Sequence, residues 1–139
     1  MKKYIAIIPV LLIACARPGN GGKAMALREG GIVIREQDGH GLVLSAVDVG
    51  YGSWEQATAA CDALILEGHD DWRLPTKEEL DEAYEYFRQK GLNEIQSDTY
   101  WSSSRVDEHH IWAKDFGNGR LKQDAVSMEH NQYRAVRTF

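Results

Sequence analysis

The chain has only two cysteines, Cys15 and Cys61, and no apolar run long enough to cross a membrane. The best candidate, residues 4–13, has about ten residues broken by Pro9, where a spanning helix needs about twenty. There is no phosphate-binding glycine loop, no His-Glu-x-x-His, no Cys-x-x-Cys pair and no Gly-x-Ser-x-Gly elbow. The chemistries those signatures serve are left without support, although a catalytic triad is recognised by geometry rather than by order. No segment repeats. Basic residues are scarce, 16 Lys and Arg against 21 Asp and Glu. An acidic surface argues against nucleic acid and against broad binding to anionic lipid, both of which want clustered cations. Neither nucleic acid nor a cofactor is expected, and the chain is not expected to be an enzyme.

What is present starts at the N-terminus. Lys2 and Lys3 precede the short apolar run, and small residues follow it, the layout of a secretory signal. Leu12-Ile13-Ala14-Cys15 resembles the bacterial lipobox, in which the Cys receives lipid and becomes the first residue. Residues 1–14 are therefore expected to be removed and Cys15 to be lipidated. The alternative is a plain signal peptide cut beside a Cys. Several acyl chains anchor stably where one is marginal, so membrane contact would be through lipid alone. Ala16 follows the Cys where an inner-membrane retention signal would place Asp, so the outer membrane or cell surface is expected. Removing Lys2 and Lys3 with the signal leaves 14 basic residues against 21 acids, a net charge of about −7. Cys61 then has no partner. Its helical spacing with Trp54, Ala57 and Leu64 predicts a buried small hydrophobe rather than a nucleophile.

Residues 15–29 are expected to be a flexible tether, because Pro18-Gly19-Asn20-Gly21-Gly22 is too rich in Gly to order itself. One domain follows, residues 30–139, a length that fits one core and not two. Ile32-Val33-Ile34 and residues 41–47 read as a hairpin split by Asp38-Gly39-His40-Gly41. Two helices come next, each with a capping box: Ser53 with Gln56, and Thr76 with Glu79. The first buries a stripe of Trp54, Ala57, Cys61 and Leu64. The second buries Leu80, Ala83, Tyr84 and Phe87, and Gly91 stops it. Strands are predicted over 100–103, 110–116, 120–126 and 133–139, with Asn118-Gly119 as a hairpin signal. The order hairpin, two helices, antiparallel strands is an α+β domain with helices packed on a sheet.

Asp71-Trp72-Arg73-Leu74-Pro75-Thr76 with Glu79-Leu80, then Tyr100-Trp101-Ser102-Ser103-Ser104, Trp112, Phe116 and Tyr133-Arg134-Ala135-Val136-Arg137 resemble the Lcl C-terminal domain family. The resemblance spans about residues 30–139, and the Trp-Arg-Leu-Pro-Thr block is its most specific part. It implies a C-type-lectin-like fold and a role in binding at a surface. The family includes adhesins and variable proteins of diversity-generating retroelements, in which a hypervariable stretch lies between the Trp-Ser-Ser strand and the last strand. The Glu-Pro-Asn and Trp-Asn-Asp triplets of calcium-dependent sugar sites are absent, so the fold does not imply lectin activity.

The residues themselves divide into scaffold and face. Trp72 and Leu74 are expected in the core, Arg73 to pin the second helix to the sheet, and Arg134 and Arg137 to form structural ion pairs from opposite faces of one last strand. At least two of Trp101, Trp112 and Phe116 are expected in the core. Residues 105–130 instead mix charged, amphipathic and apolar types with little alternation, apart from Trp112, Lys114 and Phe116. That mixture suits a contact surface. The expected ligand-binding residues are Arg105, Asp107, Glu108, His109, His110, Ile111, Ala113, Lys114, Arg120, Lys122, Asp124, Ser127, Met128, Glu129 and His130, with Ile111 and Met128 as anchors. The expected partner is a protein or other macromolecule. Arg105, Lys114, Arg120 and Lys122 could alternatively make a local basic patch for a sulfated polysaccharide. No metal is expected, because His109 and His110 are adjacent and point to opposite faces of a strand. A further alternative, an enzyme akin to formylglycine-generating folds, lacks the cysteine pair such chemistry uses.

Overall fold

The computed structural model describes residues 27–92 and 98–139. The expected signal, Cys15 and the Gly-rich run lie outside the described residues. The first described strand, β1 (Leu27–Arg28), pairs with β2 (Gly31–Gln37), within the stretch expected to be tether. Glu29 also belongs to the domain, since its carbonyl accepts from Arg137 Nη1 at 2.8 Å. β2 turns into β3 (His40–Leu44) through Asp38 and Gly39, with φ of 52° and 79°. Two successive positive φ values match the twist of a two-residue hairpin, and Asp-Gly tolerates them.

β3 ends at Leu44, earlier than expected. Ser45 N donates to Ala135 O at 2.8 Å, and its hydroxyl accepts from Ala135 N at 3.1 Å. A short β4 (Gly50–Gly52) follows; three residues with glycine at both ends carry no strand pattern to read. The helices α1 (Trp54–Asp62) and α2 (Lys77–Lys90) begin at Ser53 and Thr76 with both halves of each capping box made. Gly91 closes α2 in the left-handed conformation at φ 63°. The remaining strands are β5 (Thr99–Arg105), β6 (His110–Asp115), β7 (Leu121–Ala125), β8 (Asn131–Tyr133) and β9 (Val136–Thr138).

These strands form a four-stranded sheet, β1-β2-β3-β9, and a five-stranded sheet, β4-β8-β5-β6-β7. All pairings are antiparallel except β5 with β8. The single last strand expected over 133–139 is two strands in two sheets. Residues 133–137 are all buried, a run that a half-exposed strand cannot supply, and Arg134-Ala135 carries the chain from one sheet to the other.

The two helices are parted by neighbouring residues of β5. Trp101 joins the cluster holding Ala57 and Cys61 of α1. Tyr100 points the other way and tilts against Phe116, which stacks on Tyr84 of α2. Strand alternation therefore puts a helix on each face of the sheet. Trp101 is fully buried and its Nε1 donates to Gly52 O at 2.9 Å, so burial of its ring leaves no polar atom unsatisfied. Trp72 and Leu74 are core, as expected. Each such apolar side chain contributes about 1.5–3 kcal/mol on full burial. Arg73 pairs with Glu79, Arg134 with Asp48 and Arg137 with Asp71. The arginines of the specific motifs thus hold the scaffold together.

Candidate functional site

Two loops meet at one end of the five-stranded sheet. The first, residues 106–109, joins β5 to β6. Asp107 organises it: Oδ1 accepts from the backbone N of His109 at 2.7 Å and of His110 at 2.8 Å, and His110 Nδ1 lies 2.9 Å away. The His109 amide first, and then the His110 ring, hold the Asp107 carboxyl below its usual range. The second loop, residues 126–130, joins β7 to β8, and Met128 N donates to Ala125 O at 2.9 Å. Val126 N donates to His109 O at 2.9 Å, which fastens the loops side by side.

β4 adds a flank to this end. Gly52 pairs with Asn131 and Tyr51 with Gln132, so Tyr51 stands beside the second loop. Its hydroxyl is 3.5 Å from His130 Nδ1, and its ring is 58% exposed. The Arg105 guanidinium lies 4.6 Å from the centroid of the Trp54 ring, and Trp54 Nε1 is anchored to Ser102 O at 2.9 Å. Stacking on an anchored ring limits the rotamers of Arg105 while leaving its charge in water.

The end thus gathers Arg105, Asp107, Glu108, His109, Ser127, Glu129 and His130, all exposed, with His110 and Met128 partly exposed. Met128 packs partly against the core cluster. Tyr51 and Trp54 were not expected here. An exposed aromatic inside Gly-Tyr-Gly was the available signal, but only strand pairing brings it to residues almost eighty positions later.

Four expected ligand residues are inside the molecule instead. Ile111 and Ala113 are 0% exposed and belong to the cluster under α1. Ile111 is therefore no anchor for a ligand. Lys114 is 6% exposed; its Nζ donates to Asp81 at 2.5 Å and to Gly119 O at 2.7 Å, and it lies over the Tyr84 ring. Asp124 is 7% exposed and accepts from Asn131 Nδ2 at 2.8 Å.

The alternation of Trp112, Lys114 and Phe116 has its cause in α2. Lys77 lies over Trp112, Asp81 binds Lys114, and Tyr84 stacks on Phe116. Residues 77, 81 and 84 share one helical face, so the trio records a packed helix. Arg120 and Lys122 are exposed but stand apart from the two loops: Arg120 lies in the 116–120 turn at the opposite end of β6, and Lys122 lies within β7. With Lys114 turned inward and Arg105 at the other end, the four cations do not form one patch.

Cys61 is fully buried. Burial first, and Asp62 second, push its thiol up to about 12, so it packs as a neutral group. Among the described residues, no group of three or more His, Cys, Asp or Glu is placed to hold a metal ion.

No curated protein matches the chain. Among solved structures it is similar to the crystal structure of botrocetin, at 12% identity and a TM-score of 0.45, covering 76% of this chain and 95% of that one. That likeness says nothing about what this chain binds. A family model, the Lcl C-terminal domain, matches residues 34–137. That span includes the Trp-Arg-Leu-Pro-Thr block, both loops of the site and Arg137. The α+β architecture agrees with the C-type-lectin-like fold that the family resemblance implies, and the chain belongs to the Lcl C-terminal domain family.

Proposed function

We propose that this chain is a lipid-anchored protein displayed at the outer membrane or cell surface, and that it binds a macromolecular ligand through the paired loops 105–110 and 126–130. The observation that carries the reading is the Val126–His109 hydrogen bond. It makes one face of two loops whose exposed side chains are not needed by the core. A face held by the sheet does not have to be ordered when it binds, so contacts there yield affinity rather than offsetting lost entropy. Donors, acceptors and aromatic rims of this kind suit a protein partner.

Separation of face from scaffold also supports diversification. Exposed positions in the two loops can vary while Ile111, Ala113, Lys114 and Asp124 keep the fold. In this reading the gene is a retroelement target whose codons for these loops change within a population. Sulfated polysaccharide, as the ligand of a fixed adhesin, has less support because the basic side chains are dispersed.

The test is panning of the intact protein against arrayed extracellular proteins and glycans, beside a variant carrying Ala at Glu108, His109, Ser127, Glu129 and His130. A ligand held by the parent and weakened at least tenfold in the variant supports the site. A ligand bound equally by both places the site elsewhere. Sequencing the gene and its downstream DNA from a growing population tests diversification separately. Substitutions clustered in the loop codons support it, and an invariant stretch with no template copy rejects it.

A further inference from the structure

Among the described residues, β7 is an edge strand of the five-stranded sheet. Its inner side is used by β6: Asp115 N donates to Arg120 O at 2.9 Å, and Val126 N donates to His109 O at 2.9 Å. Residues alternate in direction along an antiparallel ladder. The backbone groups of Leu121, Gln123 and Ala125 therefore point away from the sheet, and of these Ala125 O is taken by Met128 N. An edge with open N–H and C=O groups is a template for another strand.

The side chains of this edge are incomplete in a telling way. Asp124 is 7% exposed, accepts one hydrogen bond from Asn131, and has no cationic partner among the described residues. Lys122, two residues away on the same face, is exposed and likewise unpaired among them. A buried carboxylate without a cation lacks the compensation that burial usually demands.

We propose that β7 pairs with β7 of a second copy of this chain, antiparallel, about a two-fold axis at Gln123. Three two-fold registers centred inside β7, at residues 122, 123 and 124, use the outward backbone groups. An axis at residue 122 sets Lys122 against Lys122, and an axis at residue 124 sets Asp124 against Asp124. Like charges directly opposite are destabilising. The axis at Gln123 sets Lys122 of each copy opposite Asp124 of the other, and this happens twice by symmetry. Leu121 meets Ala125, and the two Gln123 residues exchange their backbone hydrogen bonds. The pairing is self-complementary in charge, which an arbitrary extended segment is not. At the Leu121–Ala125 pairs the Ala125 N–H is free to donate, while its carbonyl is shared with Met128 N. It runs one sheet through both copies and leaves each pair of ligand-binding loops free, at opposite ends.

The experiment measures the mass of the full chain by light scattering, for the parent and for Lys122→Glu and Gln123→Pro. Glu at 122 faces Asp124 of the partner, and Pro at 123 removes an outward N–H that the native sheet does not use. The expected result is a dimer for the parent and the loss of half its mass in both variants, with circular dichroism unchanged. Should Gln123→Pro fail to fold, Lys122→Glu decides alone. Oxidative cross-linking fixes the register: Gln123→Cys should link to its own copy across a Cα separation of about 5.5 Å. Lys122→Cys, set off the axis, should not link above the parent background. A monomeric parent overturns the proposal. A dimer indifferent to Lys122→Glu also overturns it, because the copies would then meet elsewhere.

Discussion

Arg73 grips Glu79 with both arms of its guanidinium, Nη1 to Oε1 at 2.6 Å and Nη2 to Oε2 at 2.8 Å. The same carboxylate accepts from Thr76 N at 2.9 Å, so one side chain is shared between the helix cap and the motif that precedes it. Arg73 also exchanges backbone hydrogen bonds with Val136, both at 2.8 Å. A single residue thereby ties the start of α2 to the edge of the four-stranded sheet.

Arg73→Ala should destabilise the domain by about 2 kcal/mol, below the 3–5 kcal/mol of a fully buried pair because the arginine is partly exposed. Arg73→Lys should recover only part of this, since an ammonium cannot make the fork. Urea midpoints measure both. A midpoint for Arg73→Ala equal to that of the parent would show that the pair contributes nothing.

Stability should fall in acid. Burial raises the Glu79 pKa, but the hydrogen bonds from Arg73 and Thr76 outweigh it and hold the carboxyl below its usual range. The hydrogen bond from Arg137 does the same for Asp71, whose partial desolvation opposes it less. A group with a lowered folded pKa stabilises above its unfolded value and loses that stabilisation as pH drops through the folded one. The parent should keep full stability above about pH 5 and lose it below about pH 4, where free carboxyls titrate. Arg73→Ala should flatten that slope. Thermal melts from pH 7 to pH 2.5 give the comparison, and an unchanged slope would remove Glu79 as its source.

Lys114 and Glu108 should behave oppositely. Lys114→Ala leaves Asp81 and the Gly119 carbonyl without their donor and should cost about 1–3 kcal/mol. Glu108→Ala touches nothing in the core and should stay within about 0.5 kcal/mol of the parent. Chemical denaturation of the two variants checks this. A neutral Lys114→Ala would return that residue to the candidate surface.

Lipid attachment is tested by growth with a clickable fatty acid. The expected outcome is label on the parent and none on Cys15→Ser, with the variant released from the membrane fraction. Label that survives Cys15→Ser would place the lipid elsewhere, and an unlabelled parent would make the protein a secreted one.

Local features were readable from residue order alone because their causes are local. The caps at Ser53 and Thr76, the stop at Gly91, the Asp38-Gly39 turn and the apolar faces of both helices all follow from contacts within a few residues. Trp72, Leu74 and Cys61 could be assigned to the core for the same reason, and the Trp-Arg-Leu-Pro-Thr block identified the family.

Tertiary structure decided which polar residues face water. Lys114 and Asp124 look like surface residues in sequence, and only α2 lying over Lys114, and Asn131 beside Asp124, take them inside. The last strand looked continuous because no glycine, proline or turn cluster interrupts Tyr133 to Phe139. Burial on both sides splits it between two sheets. Tyr51 and His130 belong to one surface because β4 pairs with β8, a contact whose cause lies in neither local sequence. Side-chain chemistry sets helices, turns and caps at short range, whereas the makeup of a face depends on packing between elements far apart in the chain.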